Sequence, residues 1–171
     1  PTMPTPLQLI CTDFDGTLHS DFTEPPVPYA LQTKLAQQQA QGATWVINTG
    51  RTLDDLRLGI DQAELTVHPD YVVVVEREIF RCLKHGYEPL TDWNARCTRT
   101  QSALFASIAD RLPELFDWVN LHFSANVYED EWSPFCLIAR NNRDADAIQE
   151  YVNDFFADDQ QLTFVRNDIY G

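Results

Sequence analysis

Residues 7–18 read Leu-Gln-Leu-Ile-Cys-Thr-Asp-Phe-Asp-Gly-Thr-Leu, a short apolar run that breaks at Asp13 into a turn-rich stretch. Such a run, bounded by Asp and Gly, predicts a strand followed by a loop. On a strand-like backbone, residues two apart project to the same side, so Asp13 and Asp15 direct their carboxylates into one small space. Two carboxylates that close repel each other, and a divalent cation, a proton on one of them, or both relieve the repulsion. The pairing suits phosphoryl transfer, in which one carboxylate attacks phosphorus and the other supplies a proton to the leaving oxygen. Gly16 permits a sharp turn without a Cβ penalty, and the loop N–H groups can form an anion-binding nest.

Working outward, Pro25-Pro26 precedes a helical pattern carrying Leu31 and Leu35, which Gly42 stops before a β-rich run at 43–48. Thr52 and Asp55 have the spacing of a capping box, and Leu53, Leu56, Ile60 and Ala63 share one helical face up to His68-Pro69. Residues 71–75 are continuously apolar, which predicts a strand covered on both faces by helices, and residues 78–83 return beside it as a hairpin arm. Strand, helix, strand, helix, strand implies a parallel sheet with functional groups at the carboxyl ends of its strands. Asn48-Thr49-Gly50-Arg51 falls at such an end. The Thr49 hydroxyl and nearby N–H groups, including that of Gly50, are placed to hold a phosphate at a helix start. Arg51 is read either as a substrate ligand or as a partner of Asp54 or Asp55.

From about residue 90 the texture changes. Leu104, Phe105, Ile108, Ala109 and Leu112 predict an amphipathic helix that stops near Pro113, with a second short helical stretch after it. Strands are expected at 125–130 and 135–140, a helix through Ala145, Ile148 and Val152, and a strand at 162–166. This half reads as an α+β module.

The chain has 171 residues, with 26 Asp and Glu against 12 Lys and Arg and a net charge of −14. Nonspecific binding to nucleic acid or an anionic membrane is excluded, since either needs a contiguous basic surface. Four Trp, six Tyr and ten Phe are ample for a core, so wholesale disorder is excluded too. No apolar run approaches the roughly 18 residues of a spanning helix, and the start lacks the regions of a signal peptide, so the expected location is cytoplasmic. Cys11, Cys82, Cys97 and Cys136 form no C-x-x-C pair and the four His show no ligand spacing; both sets are read as packing residues.

Asp13-Phe14-Asp15-Gly16-Thr17 and Thr49 resemble the first and second motifs of the haloacid dehalogenase (HAD) superfamily. The Thr49-Gly50-Arg51 form, and an α+β segment after the third strand, are similar to the branch containing sucrose-phosphate phosphatase and other sugar phosphatases with a C2-type cap. The resemblance implies an α/β fold: a Rossmann-like core with a parallel sheet over residues 1–88, incomplete at its C-terminal side, and an α+β C2-type cap over 89–171, truncated. It implies Asp13 as nucleophile and Mg2+ ligand, Asp15 as general acid and base and as a metal ligand through its carbonyl, and Thr49 as a hydrogen-bond donor to the phosphoryl group. The expected function is a Mg2+-dependent phosphatase that hydrolyses a small phosphomonoester, a sugar phosphate, through an aspartyl phosphate.

The family also uses a Lys and an acidic cluster after the cap, which have no counterpart here. Lys34 falls in the first helix, Lys84 in the hairpin, and Asp158-Asp159 reads as a solvated loop. Hence the alternative: a catalytically incomplete HAD-like module that binds phosphorylated ligands or a protein partner. The same gap makes residues 7–12 a sheet edge, with a missing C-terminal segment or another chain expected to complete the core.

Overall fold

The computed structural model describes residues 6–159 and 161–166; residues 1–5, 160 and 167–171 lie outside the described set. The chain divides into two compact units, one reaching Cys97 and the other starting at Thr98. The expected boundary at residue 88 precedes a helix, and the observed division falls inside it.

In the first unit the order is β1 (Leu9–Thr12), α1 (Tyr29–Ala40), β2 (Thr44–Asn48), α2 (Leu53–Gln62), β3 (Tyr71–Val74), β4 (Glu78–Leu83) and β5 (Gly86–Pro89). One sheet holds all five strands in the order β1-β2-β3-β4-β5. β1 pairs parallel with β2 and β2 with β3, whereas β4 and β5 return antiparallel. Gly42, at φ +100°, ends α1: its N–H bonds to the Gln39 carbonyl and that of Ala43 to the Gln38 carbonyl, a closing turn that suits glycine. At α2 the Thr52 hydroxyl accepts from Asp55 N–H at 3.2 Å, the N-cap bond its spacing predicts, and donates to Asp55 Oδ2 at 2.7 Å.

The three parallel strands step in one direction across the sheet, so right-handed crossovers lay α1 and α2 on the same face. Leu35 of α1 and Leu56 and Ile60 of α2 accordingly share one core with Trp45, Ile47, Val72 and Val74. Fully burying each large side chain contributes about 1.5–3 kcal/mol. Among the described residues the opposite face has no such cover: Tyr71 and Val73 are half-buried and Leu9 and Cys11 are exposed. The run at 71–75 is therefore covered on one face rather than two, because both crossovers fall on one side. β1 is the sheet edge, with Leu7 and Leu9 at 51% and 58% exposure.

α3 (Thr91–Ile108) carries the chain into the second unit, followed by a 3-10 turn (Ala109–Arg111), α4 (Leu112–His122), β6 (Asn126–Tyr128), β7 (Cys136–Ile138) and α5 (Asn142–Phe155). Pro113 opens α4 instead of stopping a helix, since the first turn of a helix does not need its missing N–H. β6 and β7 form an antiparallel pair. Contrary to expectation, residues 162–166 join no strand among the described residues. Leu115, Val119, Ile148 and Val152 make the core of this unit, and Trp118 stacks on Tyr151 with ring centroids 3.5 Å apart. Arg111 lies over Phe155 and Phe156 and bonds to the Phe155 carbonyl and to Asp158.

Candidate active site

The loop after β1 is held by its own backbone. Leu18 and His19 both donate N–H to the Phe14 carbonyl, at 3.1 and 2.8 Å, and Gly16 donates to the His19 carbonyl at 2.9 Å. The turn requires Gly16 at φ +70°, a region costly for other residues. Phe14 is fully buried, while Asp13 and Asp15 on either side of it are exposed. Asp13 Oδ1 accepts the Phe14 N–H at 2.7 Å, and Oδ2 lies 3.5 Å from the Thr17 hydroxyl.

Asp15 is held differently. Arg51 donates from Nε to Oδ2 at 2.8 Å and from Nη2 to Oδ1 at 2.5 Å, a two-pronged grip. The same guanidinium lies over the Phe14 ring, 5.1 Å from its centroid, and Nη1 donates to the Asp55 carbonyl at 3.3 Å. The Asp15 hydrogen bond raises the Arg51 pKa above its ordinary value against the opposing effect of partial burial, so the guanidinium stays charged. Of the readings open for Arg51 in the sequence, the carboxylate it meets is neither Asp54 nor Asp55. A signal was available: Gly59 stands in mid-α2, where a glycine weakens a helix unless something needs its space.

Thr49 is buried, and its hydroxyl accepts the Arg51 N–H at 3.2 Å. Arg51 therefore joins the two motifs, its backbone tied to Thr49 and its side chain to Asp15. Among the described residues no hydrogen bond links Asp13 to Asp15 or either to Thr49. Gly50 is exposed beside Glu76, whose Oε1 would lie 3.6 Å from a Cβ at Gly50. Glu76 belongs to the β3–β4 turn, which braces this loop: Glu76 N–H bonds to the Thr49 carbonyl at 3.0 Å and Val75 N–H to the Arg51 carbonyl at 2.9 Å. Sequence reasoning missed both that brace and the carboxylate it brings.

No group of three or more His, Cys, Asp or Glu side chains among the described residues is arranged to hold a metal. The resemblance gives a metal two donors here, the Asp13 carboxylate and the Asp15 main-chain carbonyl. That donor set fits Mg2+, which binds through one or two carboxylates and keeps several waters. Lys34 and Lys84 are exposed, on α1 and in the β4–β5 turn, and Asp158 pairs with Arg111 at 3.2 Å. Of the aromatic residues near residue 90 and beyond, Trp93 donates to the Arg77 carbonyl and Phe123 packs on the core of the second unit.

A parallel sheet that opens with an Asp-x-Asp loop and continues through a Thr-Gly-Arg loop at the next strand end defines a Rossmann-like fold of the HAD class. Within that class the chain belongs to the sucrose-6F-phosphate phosphohydrolase family, which it matches over residues 6–118. Solved structures share the fold. The sucrose-phosphatase from Synechocystis sp. PCC6803, in complex with sucrose and phosphate, aligns over 88% of this chain and 57% of its own, at 14% identity and a TM-score of 0.52. The haloacid dehalogenase-like hydrolase yhjK from Bacillus subtilis aligns over 90% of this chain and 57% of its own, at 16% identity and a TM-score of 0.50. The chain thus spans somewhat more than half the length of either structure. No curated protein sequence matches it.

Proposed function

We propose that the chain carries the catalytic loops of a phosphoric monoester hydrolase that acts on a small phosphorylated substrate, a sugar phosphate, through an aspartyl phosphate on Asp13. The observation that carries this reading is the opposed state of the two carboxylates. Asp13 is open to solvent and tied only within its own loop, whereas Asp15 is oriented by a guanidinium from the Thr49-Gly50 loop. Membership of the sucrose-6F-phosphate phosphohydrolase family supports the substrate class.

In the first step an Asp13 oxygen forms a bond to phosphorus, the ester P–O bond breaks, and Asp15 gives its proton to the leaving oxygen. In the second, water attacks the phosphoryl group, Asp15 takes a proton from it, and Asp13 is released with inorganic phosphate. A proton on Asp15 has to share an oxygen with the Arg51 donors, while the second step uses the carboxylate as it stands. The Thr49 hydroxyl and the Gly50 N–H orient the transferring group. Asp13 and the Asp15 carbonyl would hold Mg2+, which would supply charge neutralisation at the phosphoryl oxygens. Residues 89–171 serve as a C2-type cap in this reading. The exposed β1 edge and the open sheet face around Leu9 are the surface on which a further C-terminal segment or another chain completes the core. Among the described residues no helix is long and apolar enough to cross a membrane.

Phosphate release from a generic aryl phosphate with Mg2+, compared between the wild type and Asp13→Asn, tests the reading; equal rates exclude Asp13 as nucleophile. The alternative, a module that binds phosphorylated ligands or a protein partner without turnover, draws on the two-residue donor set and the distant lysines. Orthophosphate binding that needs Asp13 and Thr49, with no turnover of any phosphomonoester, would favour it.

A further inference from the structure

α2 has a glycine in its interior, Gly59, where alanine would make a helix more stable. Its backbone is ordinary helix, so no turn explains it. The neighbours do: a Cβ on Gly59 would stand 2.7 Å from Arg51 Nη1 and 2.9 Å from Phe14 Cε1, both inside van der Waals contact. Phe14 cannot retreat, because its ring is fully buried and stacks on His19 at 5.2 Å. Arg51 is the partner that has to move: Nη1, the arm turned to Gly59, belongs to the same rigid planar guanidinium as the Nε and Nη2 that reach the two Asp15 oxygens.

We propose that Gly59 is a positioning residue for the acid–base carboxylate: its bare backbone leaves the slot in which Arg51 lies on Phe14 and grips Asp15. The proposal rests on the phosphatase reading and adds a residue with no contact to substrate. A side chain at position 59 acts on Asp15 through Arg51, over the α2 surface. The grip fixes a carboxylate that has to meet the leaving oxygen and then a water in sequence, so its loss leaves binding intact and slows chemistry.

The experiment uses the 171-residue chain and two readouts. The first is the Nε–H resonance of Arg51 in 15N-labelled protein, assigned by its loss in Arg51→Lys; a two-pronged bond protects this proton from exchange with water. In Gly59→Ala the protection is expected to disappear, as in Asp15→Asn, while thermal unfolding stays cooperative. The second is turnover of an aryl phosphate with Mg2+: kcat is expected to fall about tenfold or more with KM within about threefold, the mark of a lost acid–base group. In an Arg51→Lys background, Gly59→Ala is expected to add little, because the group it displaces is gone. Retained protection in Gly59→Ala overturns the proposal, as does lost protection with unchanged kcat. Should Gly59→Ala not fold, the smaller test is Phe14→Leu, which removes the ring face and is expected to weaken the same Nε–H protection; full protection there also overturns it. Failure of the phosphatase reading looks different: wild-type turnover is then absent or insensitive to Asp13→Asn, while the Arg51 resonance still reports on residue 59.

Discussion

Arg51 donates from Nε to Asp15 Oδ2 at 2.8 Å and from Nη2 to Oδ1 at 2.5 Å, so the arginine after β2 holds both oxygens of a carboxylate after β1. A lysine at position 51 offers a point charge in place of a fork. Arg51→Lys is expected to lower kcat by about tenfold, a part of the roughly 10²–10⁴-fold that a general acid–base group supplies, because Asp15 is loosened and not removed. Both partners are substantially exposed, so the pair contributes little to stability, within about 1 kcal/mol. Steady-state kinetics beside urea denaturation separates the two effects.

Gln32 is buried on α1, donating to the Val27 carbonyl at 3.0 Å and accepting from Thr66 N–H at 2.8 Å and the Thr66 hydroxyl at 2.7 Å. It ties the segment before α1 to the loop after α2. Gln32→Leu fills similar space but leaves those groups without partners, and is expected to cost about 1–3 kcal/mol. A lower urea midpoint at constant slope is the expected result.

The turn that braces the Thr49-Gly50 loop has Val75 at φ +45° and Glu76 at φ +59°. Two consecutive positive values mark a tight hairpin turn that favours Asn-Gly, and a β-branched valine fits it poorly. The double variant Val75→Asn, Glu76→Gly is expected to raise stability by about 1 kcal/mol or more, offset in part by the greater freedom of glycine when unfolded. It also removes the carboxylate beside Gly50, so the KM for an anionic substrate is expected to fall, most clearly at low salt. An unchanged melting temperature would show that the turn carries no strain.

Burial, and then the Asp70 carboxylate, push the Cys82 thiol from its ordinary value of 9.0 up to about 12. The folded chain keeps this proton where the unfolded chain has released it. The contribution is intact below about pH 9 and is lost as pH rises towards about 12. Cys82→Val removes that part of the slope: between pH 8 and about pH 10.5 its stability is expected to fall less than the wild type's, measured by urea denaturation at each pH.

Much of the first unit was legible because its signals are local. The apolar run before Asp13, the glycine after α1, the Thr52–Asp55 cap and the Leu53-Leu56-Ile60-Ala63 face all stand as their spacing predicts. α3 was only half read, because residues 91–103 carry few large apolar residues and lie largely exposed. Pro113 signals a helix start as well as a stop, and nothing in its flanks decides between them. β5 is short and closes on Pro89, which reads as loop. The Arg51–Asp15 pair spans 36 residues, and local spacing favoured the nearer Asp54 and Asp55. Its one trace in the sequence, a glycine inside an otherwise regular helix, takes meaning only once Phe14 is in place.

The proposed chemistry passes through a covalent bond between Asp13 and phosphorus. Chain, Mg2+ and excess aryl phosphate, quenched in acid within one turnover and digested, should yield the peptide bearing Asp13 with the added mass of one phosphoryl group, absent from Asp13→Asn. Phosphate release without that adduct, or release by Asp13→Asn at the wild-type rate, would contradict it.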